Sequence, residues 1–223
     1  MTDAAGHRER LRQRLLEGGG DGFHDYELLE YLLALALPRR DTKPLAKALI
    51  DEFGSLASLL AATPTELLRV PGLGESAAAA LKFVEAVMLR SQRRALEKRP
   101  VLSSWAALTD YLHAGMAHRA TEQFRVIYLD TKNQIMRDEV LGEGTVNAAP
   151  VYPREVVKRA LEIQAAAVIL VHNHPSGDPT ASQDDIVMTR AIIEAGRHLG
   201  LAVHDHVIIG RSGHVSMRAQ GLL

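Results

Sequence analysis

The chain contains no cysteine. Disulfides, thiolate zinc sites and a cysteine nucleophile are thereby excluded, and any metal has to be held by His, Asp or Glu. Long apolar runs are missing as well: no segment offers the ~18 uninterrupted apolar residues of a membrane helix. The first stretch, "MTDAAGHRERLRQRLLEGGG", is charged rather than apolar. With a cysteine count compatible with a reducing compartment, these absences predict a cytoplasmic protein that does not engage a membrane. A surplus of one charge is also lacking. Lys and Arg number 26 against 27 acidic residues, so the whole chain has no basic excess to hold a polyanion, and a nucleic-acid site has to be local. There is no internal repeat, and no low-complexity tract beyond Gly18 to Gly20.

What is present is a globular composition, 47% hydrophobic and 24% charged over 223 residues, enough to build a core without covalent staples. The pattern changes near residue 99. Residues 1–98 read as helices separated by turn residues, with "DYELLEYLLALAL" and "KPLAKALIDEF" carrying apolar positions at helical spacing. "FRVIYLD" and "IMRDEVLG", separated by "TKNQ", predict a β-hairpin. A helix is predicted from Pro153, with Val157, Ala160 and Leu161 on one side. "AAVILV" reads as a fully buried strand. The next helix, "DIVMTRAIIEAGRHLG", spaces Met188, Ile192, Ala195 and Leu199 as an apolar stripe. Two strands around an "RSG" turn follow, and Trp105 is expected to belong to a helix leading into this part. The expected fold is α+β: an all-helical domain over 1–98, then a mixed α/β domain over 99–223.

The chemistry concentrates in "HNHPSGDPTASQDD", His172 to Asp185. His172 and His174 lie two apart at a strand end, where the pleat points both imidazoles to one face. Asp185 falls in the first turn of the following helix. Three N and O ligands with a fourth position open describe a catalytic zinc site better than a closed structural one. A second reading exists for the last part. "SQDD" is also a capping-box start, with Ser182 as N-cap and Asp185 three residues on.

The same residues resemble the JAMM (MPN-plus) metalloprotease pattern: His-x-His-Pro, six residues, Ser-x-x-Asp, every named position present. The longer context, "FRVIYLDTKNQ", "GTVNAAPVYPREVVKRAL" and "DHVIIG", is similar to the RadC family in particular, and the similarity covers nearly the whole chain. The resemblance implies a JAMM/MPN domain of α-β-α layers over 99–223, one Zn2+ per chain held by His172, His174 and Asp185, and a water in the fourth place. It implies that Ser182 hydrogen-bonds a developing oxyanion, and that a Glu before an early strand is the general base and acid. Glu122 is the best match by position, with Glu139, Glu143 and Glu155 as substitutes; its alternative is a solvated charge at a helix-to-strand junction. Such a site hydrolyses peptide or isopeptide-like bonds, so a protein or peptide is the expected substrate. A second His-x-His, His204 and His206, is expected to share one strand face, with Asp205 on the other. The sequence leaves this trio between support for the zinc ligands and polar packing at a strand end.

In the N-terminal part, "VPGLGESAAAALKFVEAV" places Gly-x-Gly between two helical patterns and resembles a helix-hairpin-helix motif, which grips a DNA backbone through exposed N–H groups. Glu75 and Ser76 depart from the Lys or Arg such a motif favours. Lys82, Arg90, Arg93, Arg94, Lys98 and Arg99 offer a local basic stripe, as do Arg8, Arg10, Arg12 and Arg14. DNA contact through residues 70–99 and a structural or protein-binding hairpin are both open. Three function classes follow: a zinc-dependent peptidase or isopeptidase, a non-enzymatic DNA-binding or DNA-repair accessory protein with a structural zinc, and a zinc nuclease. Other metal classes lack their residues. A zinc deaminase needs Pro-Cys-x-x-Cys, a zincin needs His-Glu-x-x-His, and an amidohydrolase barrel needs far more chain than the 49 residues after His174.

Overall fold

The structure is a computed structural model describing residues 3–96, 100–144 and 151–223. Lys98, Arg99 and the "TVNAAP" part of the family-like stretch lie outside the described residues. The chain forms two compact units, Met1–Met88 and Leu89–Leu223. The division falls inside a helix, earlier than the change of composition at 98/99.

The first unit holds α1 (Asp3–Gly18), α2 (Asp25–Ala36), α3 (Lys43–Phe53), α4 (Leu56–Ala61), α5 (Pro64–Arg69) and the start of α6 (Glu75–Leu96). Its core is largely leucine and alanine: Leu29, Leu33, Ala46, Leu49, Leu59, Leu67, Ala77 and Leu81 are all buried. Short helices need their ends satisfied, because six residues leave most of the backbone N–H and C=O groups outside the helix's own bonds. Ser55 caps α4 by accepting from Ser58 N. Thr63 and Glu66 make a full capping box on α5: Glu66 N donates to Thr63 Oγ1 at 3.2 Å, and Thr63 N donates to the Glu66 carboxylate at 2.7 Å. Thr63→Ala is expected to lower the stability of this unit by ~1 kcal/mol, read as a lower chemical-denaturation midpoint with an unchanged slope.

The Gly-x-Gly turn between α5 and α6 has Gly72 at φ +87. Arg40 lies over that glycine, donating to its carbonyl at 2.6 Å, and a Cβ there would meet the guanidinium. Much of the basic character predicted for this unit is internally engaged. Lys82 donates to the carbonyls of Leu60 and Ala62 at the end of α4, Arg14 pairs with Glu27, Arg12 pairs with Glu9, and Arg8 donates to the carbonyls of Pro38 and Arg40.

The second unit is a five-stranded mixed sheet between helices. Its strands are β1 (Gln123–Leu129), β2 (Ile135–Glu143), β3 (Ala167–Asn173), β4 (Ala202–Gly210) and β5 (Gly213–Ser216), in the order β2-β1-β3-β4-β5. The predicted hairpin is β1–β2. β3 is central and every residue in it is buried, as a continuous apolar run demands. β3 and β4 are parallel, joined through α9 (Gln183–Arg197); the other pairings are antiparallel. α7 (Trp105–Met116) covers one sheet face, packing Leu108, Leu112 and Met116 on Ile127, Ile169, Val171 and Val207. α8 (Pro153–Glu162) and α9 cover the other, packing Val156, Val157, Ala160 and Ile192 on Phe124, Val126, Tyr128, Val168 and Leu170.

Two helix faces differ from expectation. On α8, Leu161 is 48% exposed and Val156 takes its place in the core. On α9 the buried face is Asp185, Thr189, Ile192 and Gly196, whereas Ala195 faces outward and Leu199 lies exposed beyond the helix's end. The helix is turned because Gly196 sits close against the Leu201 carbonyl, and because two polar side chains of its first turns point into the interior.

A candidate metal centre at the end of the central strand

β3 delivers His172, and the chain leaving it delivers His174. On the pleat, Val168, Leu170 and His172 face α8 and α9, so the first imidazole emerges over Phe124, whose ring lies 6.4 Å away and nearly parallel. The turn that follows is held from below. Gly177 has φ +92, His174 N donates to Ile209 O at 2.9 Å, and Arg211 donates to the carbonyls of Pro175 and Ser176. Gly210 is glycine for want of room: a Cβ there would lie 2.3 Å from the Gly177 carbonyl oxygen.

α9 then brings Asp185. The capping-box reading of "SQDD" is realised, and the same carboxylate lies beside the two histidines. Ser182 caps the helix, with Asp185 N donating to Ser182 Oγ at 3.2 Å and Ser182 N donating to Asp185 Oδ2 at 2.7 Å. The Ser182 hydroxyl donates to the same carboxylate oxygen at 2.6 Å. The capped carboxylate points at the histidines: His172 Nε2 is 3.1 Å from Oδ1, and His174 Nε2 is 3.6 Å from Oδ2. The two Nε2 atoms are 2.9 Å apart. Ligands at zinc distances of about 2.0–2.1 Å in a tetrahedron stand roughly 3.3 Å from one another, so these three residues can hold a metal ion, and they form such a group among the described residues.

The electrostatics agree. Burial, the largest influence on Asp185, pushes its carboxyl upward, but its interactions with His172 and His174 and the hydrogen bond from Ser182 overcome it and hold the group well below the usual carboxylate range. His174 is raised, chiefly by its interaction with Asp185, with the Asp178 carbonyl and the charge of Glu122 adding to it. That last influence sets Glu122 within electrostatic reach of the histidine. Glu122 directly precedes β1, half-buried. Of its substitutes, Glu139 pairs with Arg159 at 2.6 Å, Glu143 sits on β2 opposite Gln123, and Glu155 pairs with the exposed Arg154.

Several participants carry no signal in the loop motif. Asn173, fully buried between the two histidines, points away from them and pins the backbone on both sides of Glu122. Its Oδ1 accepts from Gln123 N at 2.9 Å and its Nδ2 donates to Thr121 O at 3.1 Å. Asn173→Ala strands a buried donor and a part-buried acceptor, and is expected to cost about 1–3 kcal/mol while His172, His174 and Asp185 stay in place. Thermal melting with parallel metal titration checks both halves.

His206 and His204 do not share a face. The β3–β4 register skips a residue, Val168 opposing Val203 and Ile169 opposing Asp205, so His204 is the extra residue of a β-bulge. His204 is bonded to Asn133 Oδ1 at 2.6 Å. Asp205 accepts from the backbone N–H of Arg218 and from the Ser216 hydroxyl. Polar packing describes these two. His206, fully buried, instead faces the candidate metal centre, with its Nε2 2.8 Å from His172 Nδ1.

Fold and site thus define an α+β domain, preceded in the chain by a helical unit, with a His-His-Asp group that could hold a metal ion at the end of its central strand. Residues 102–222 match the RadC-like JAB domain, and residues 3–79 match the UPF0758 N-terminal domain. A UPF0758 protein of Rhodobacter capsulatus is 58% identical over 213 residues, covering 96% of this chain and 100% of the relative. The chain belongs to the RadC-like UPF0758 family.

Proposed function

We propose that the protein is a zinc-dependent hydrolase of peptide or isopeptide-like amide bonds, acting in the cytoplasm on a protein or peptide substrate. One observation carries the reading: His172 Nε2, His174 Nε2 and the Asp185 carboxylate converge at separations of 2.9, 3.1 and 3.6 Å, the spacing of tetrahedral ligands. When bound, zinc supplies Lewis acidity, acidifying a water and polarising a carbonyl. His174 is set for this role by donating Nδ1–H to the Asp178 carbonyl at 2.8 Å, which leaves Nε2 as its lone-pair nitrogen. Glu122 takes the proton of the attacking water and returns it to the leaving nitrogen. The Ser182 hydroxyl has one proton, given at rest to Asp185; to steady an oxyanion it turns from that carboxylate toward the substrate. The test is elemental analysis of purified full-length protein, combined with a panel of fluorogenic peptide and isopeptide-linked substrates. About one zinc per chain is expected, lost in His174→Ala with the circular dichroism spectrum retained, together with cleavage that a chelator stops and zinc restores. Protein that takes up no zinc would sink the proposal.

A further inference from the structure

We propose that His206 and Thr189 are positioning residues that set the tautomer of His172 through a buried hydrogen-bond chain, so that its Nε2 is presented to the metal. This rests on the metal site proposed above. The chain runs from β3 to β4 to α9. His172 Nδ1 lies 2.8 Å from His206 Nε2. His206 Nδ1 lies 2.6 Å from Thr189 Oγ1, and Thr189 Oγ1 donates to the Asp185 backbone carbonyl at 2.5 Å. His206 and Thr189 are fully buried and His172 is 1% exposed, so these groups have one another as partners in place of water.

The bonding partners decide where the protons sit. Thr189 has a single hydroxyl proton. If it goes to the Asp185 carbonyl, Oγ1 must accept from His206 Nδ1–H. His206 Nε2 is then the lone-pair nitrogen and must accept from His172 Nδ1–H. His172 Nε2 is left with its lone pair toward His174 and Asp185, as a metal ligand requires. Run in the opposite sense, with the proton on His172 Nε2, the chain takes the hydroxyl proton for His206 and the Asp185 carbonyl loses its threonine partner. Only the first arrangement satisfies all three contacts. The chain also closes on itself: it starts at one ligand and ends on the backbone of another, holding β3 and the first turns of α9 at a fixed separation. Phe124 seals it, lying parallel to the His172 ring and edge-on to the His206 ring, 5.8 Å away.

A histidine in place of the carboxylate or carbonyl that commonly receives the second N–H of a ligating imidazole adds no charge to the core. The bulge at His204 is what makes this partner available. Without the extra residue, the side chain at 206 would fall on the opposite face of β4.

The test is zinc affinity of the full-length protein, measured by competition with a chromophoric chelator, beside thermal melting of the zinc-free form. Partners of this kind change metal affinity by roughly 10- to 100-fold. His206→Leu, which can neither accept nor donate, is expected to weaken zinc binding by about that factor. His206→Gln, which can do both, should recover most of the loss. Thr189→Val, nearly the same size, should weaken binding in the same direction without opening a cavity, and it keeps the test decisive should the leucine variant not fold. The cobalt-substituted Thr189→Val protein should show a shifted ligand-field spectrum. A merely structural role would lower the melting temperature of zinc-free protein and leave affinity untouched. Unchanged affinity in Thr189→Val overturns the inference, as it does in a folded His206→Leu, while wild-type protein that binds no zinc overturns the metal reading, so the two failures are read from different samples.

Discussion

Removing zinc is expected to lower the melting temperature of the second unit by roughly 10 °C. A ligand that binds only the folded state stabilises it by RT ln(1 + [L]/Kd), about 4 kcal/mol at a thousandfold excess over Kd, and a unit of this size shifts by ~3 °C per kcal/mol. The folded chain has what such a differential needs. His172, His174 and Asp185 come from two elements separated by a turn, and folding alone brings Nε2, Nε2 and carboxylate to within 3.6 Å of one another. An unfolded chain offers scattered imidazoles of far weaker affinity. Calorimetry with and without a chelator measures the shift. His174→Ala should show no zinc-dependent shift, and the first unit, which contains none of these three residues, should melt at the same temperature in both samples. Equal melting of both units with and without zinc would mean that the convergence does not hold a metal.

Gly210→Ala is the second large effect, and it arises from backbone contact alone. The added methyl carbon would lie 2.3 Å from the Gly177 carbonyl oxygen and 2.8 Å from Pro179 Cδ. Neither neighbour is the far end of a flexible side chain, so the turn carrying His174 has to move by about an ångström. Overpacking of this kind typically costs about 1–3 kcal/mol, and here the strained partner is also the loop that carries His174. A loss of ~3 kcal/mol, or roughly 9 °C, is expected by thermal melting, with weaker zinc binding beside it. Ser212→Ala provides the comparison. It removes one long bond to the same carbonyl, 3.3 Å, and should stay within ~0.5 kcal/mol of wild type. If Gly210→Ala melted with Ser212→Ala, the close approach of β4 to the loop would not be a constraint on this fold.

Much of this protein is legible in its sequence because the informative signals are local. The continuous apolar run before His172 is a central strand, and Pro153 opens a helix. Two histidines two apart at a strand end converge because the pleat repeats every second residue. Asp185 is both cap partner and candidate ligand because the N3 position of a helix points its carboxylate back past the N-cap. None of this needs knowledge of what lies across the sheet. The separation into a helical unit and a mixed sheet is equally a matter of periodicity.

Tertiary structure decided what depends on a partner distant in the chain. The stripe predicted for α9 is the apolar one, yet the helix is rotated to bury Thr189 and Asp185, since it answers to the site as well as to the core. Asn173 looks like a spacer between two histidines until Thr121 and Gln123 are set beside it, fifty residues upstream. His204 and His206 look equivalent in "VHDHV", two residues apart on one strand. A single extra residue in the β3–β4 register sends one to the Asn133 turn and the other against His172, and alternation along β4 cannot reveal that skip, because a bulge is a property of the pair of strands rather than of either one.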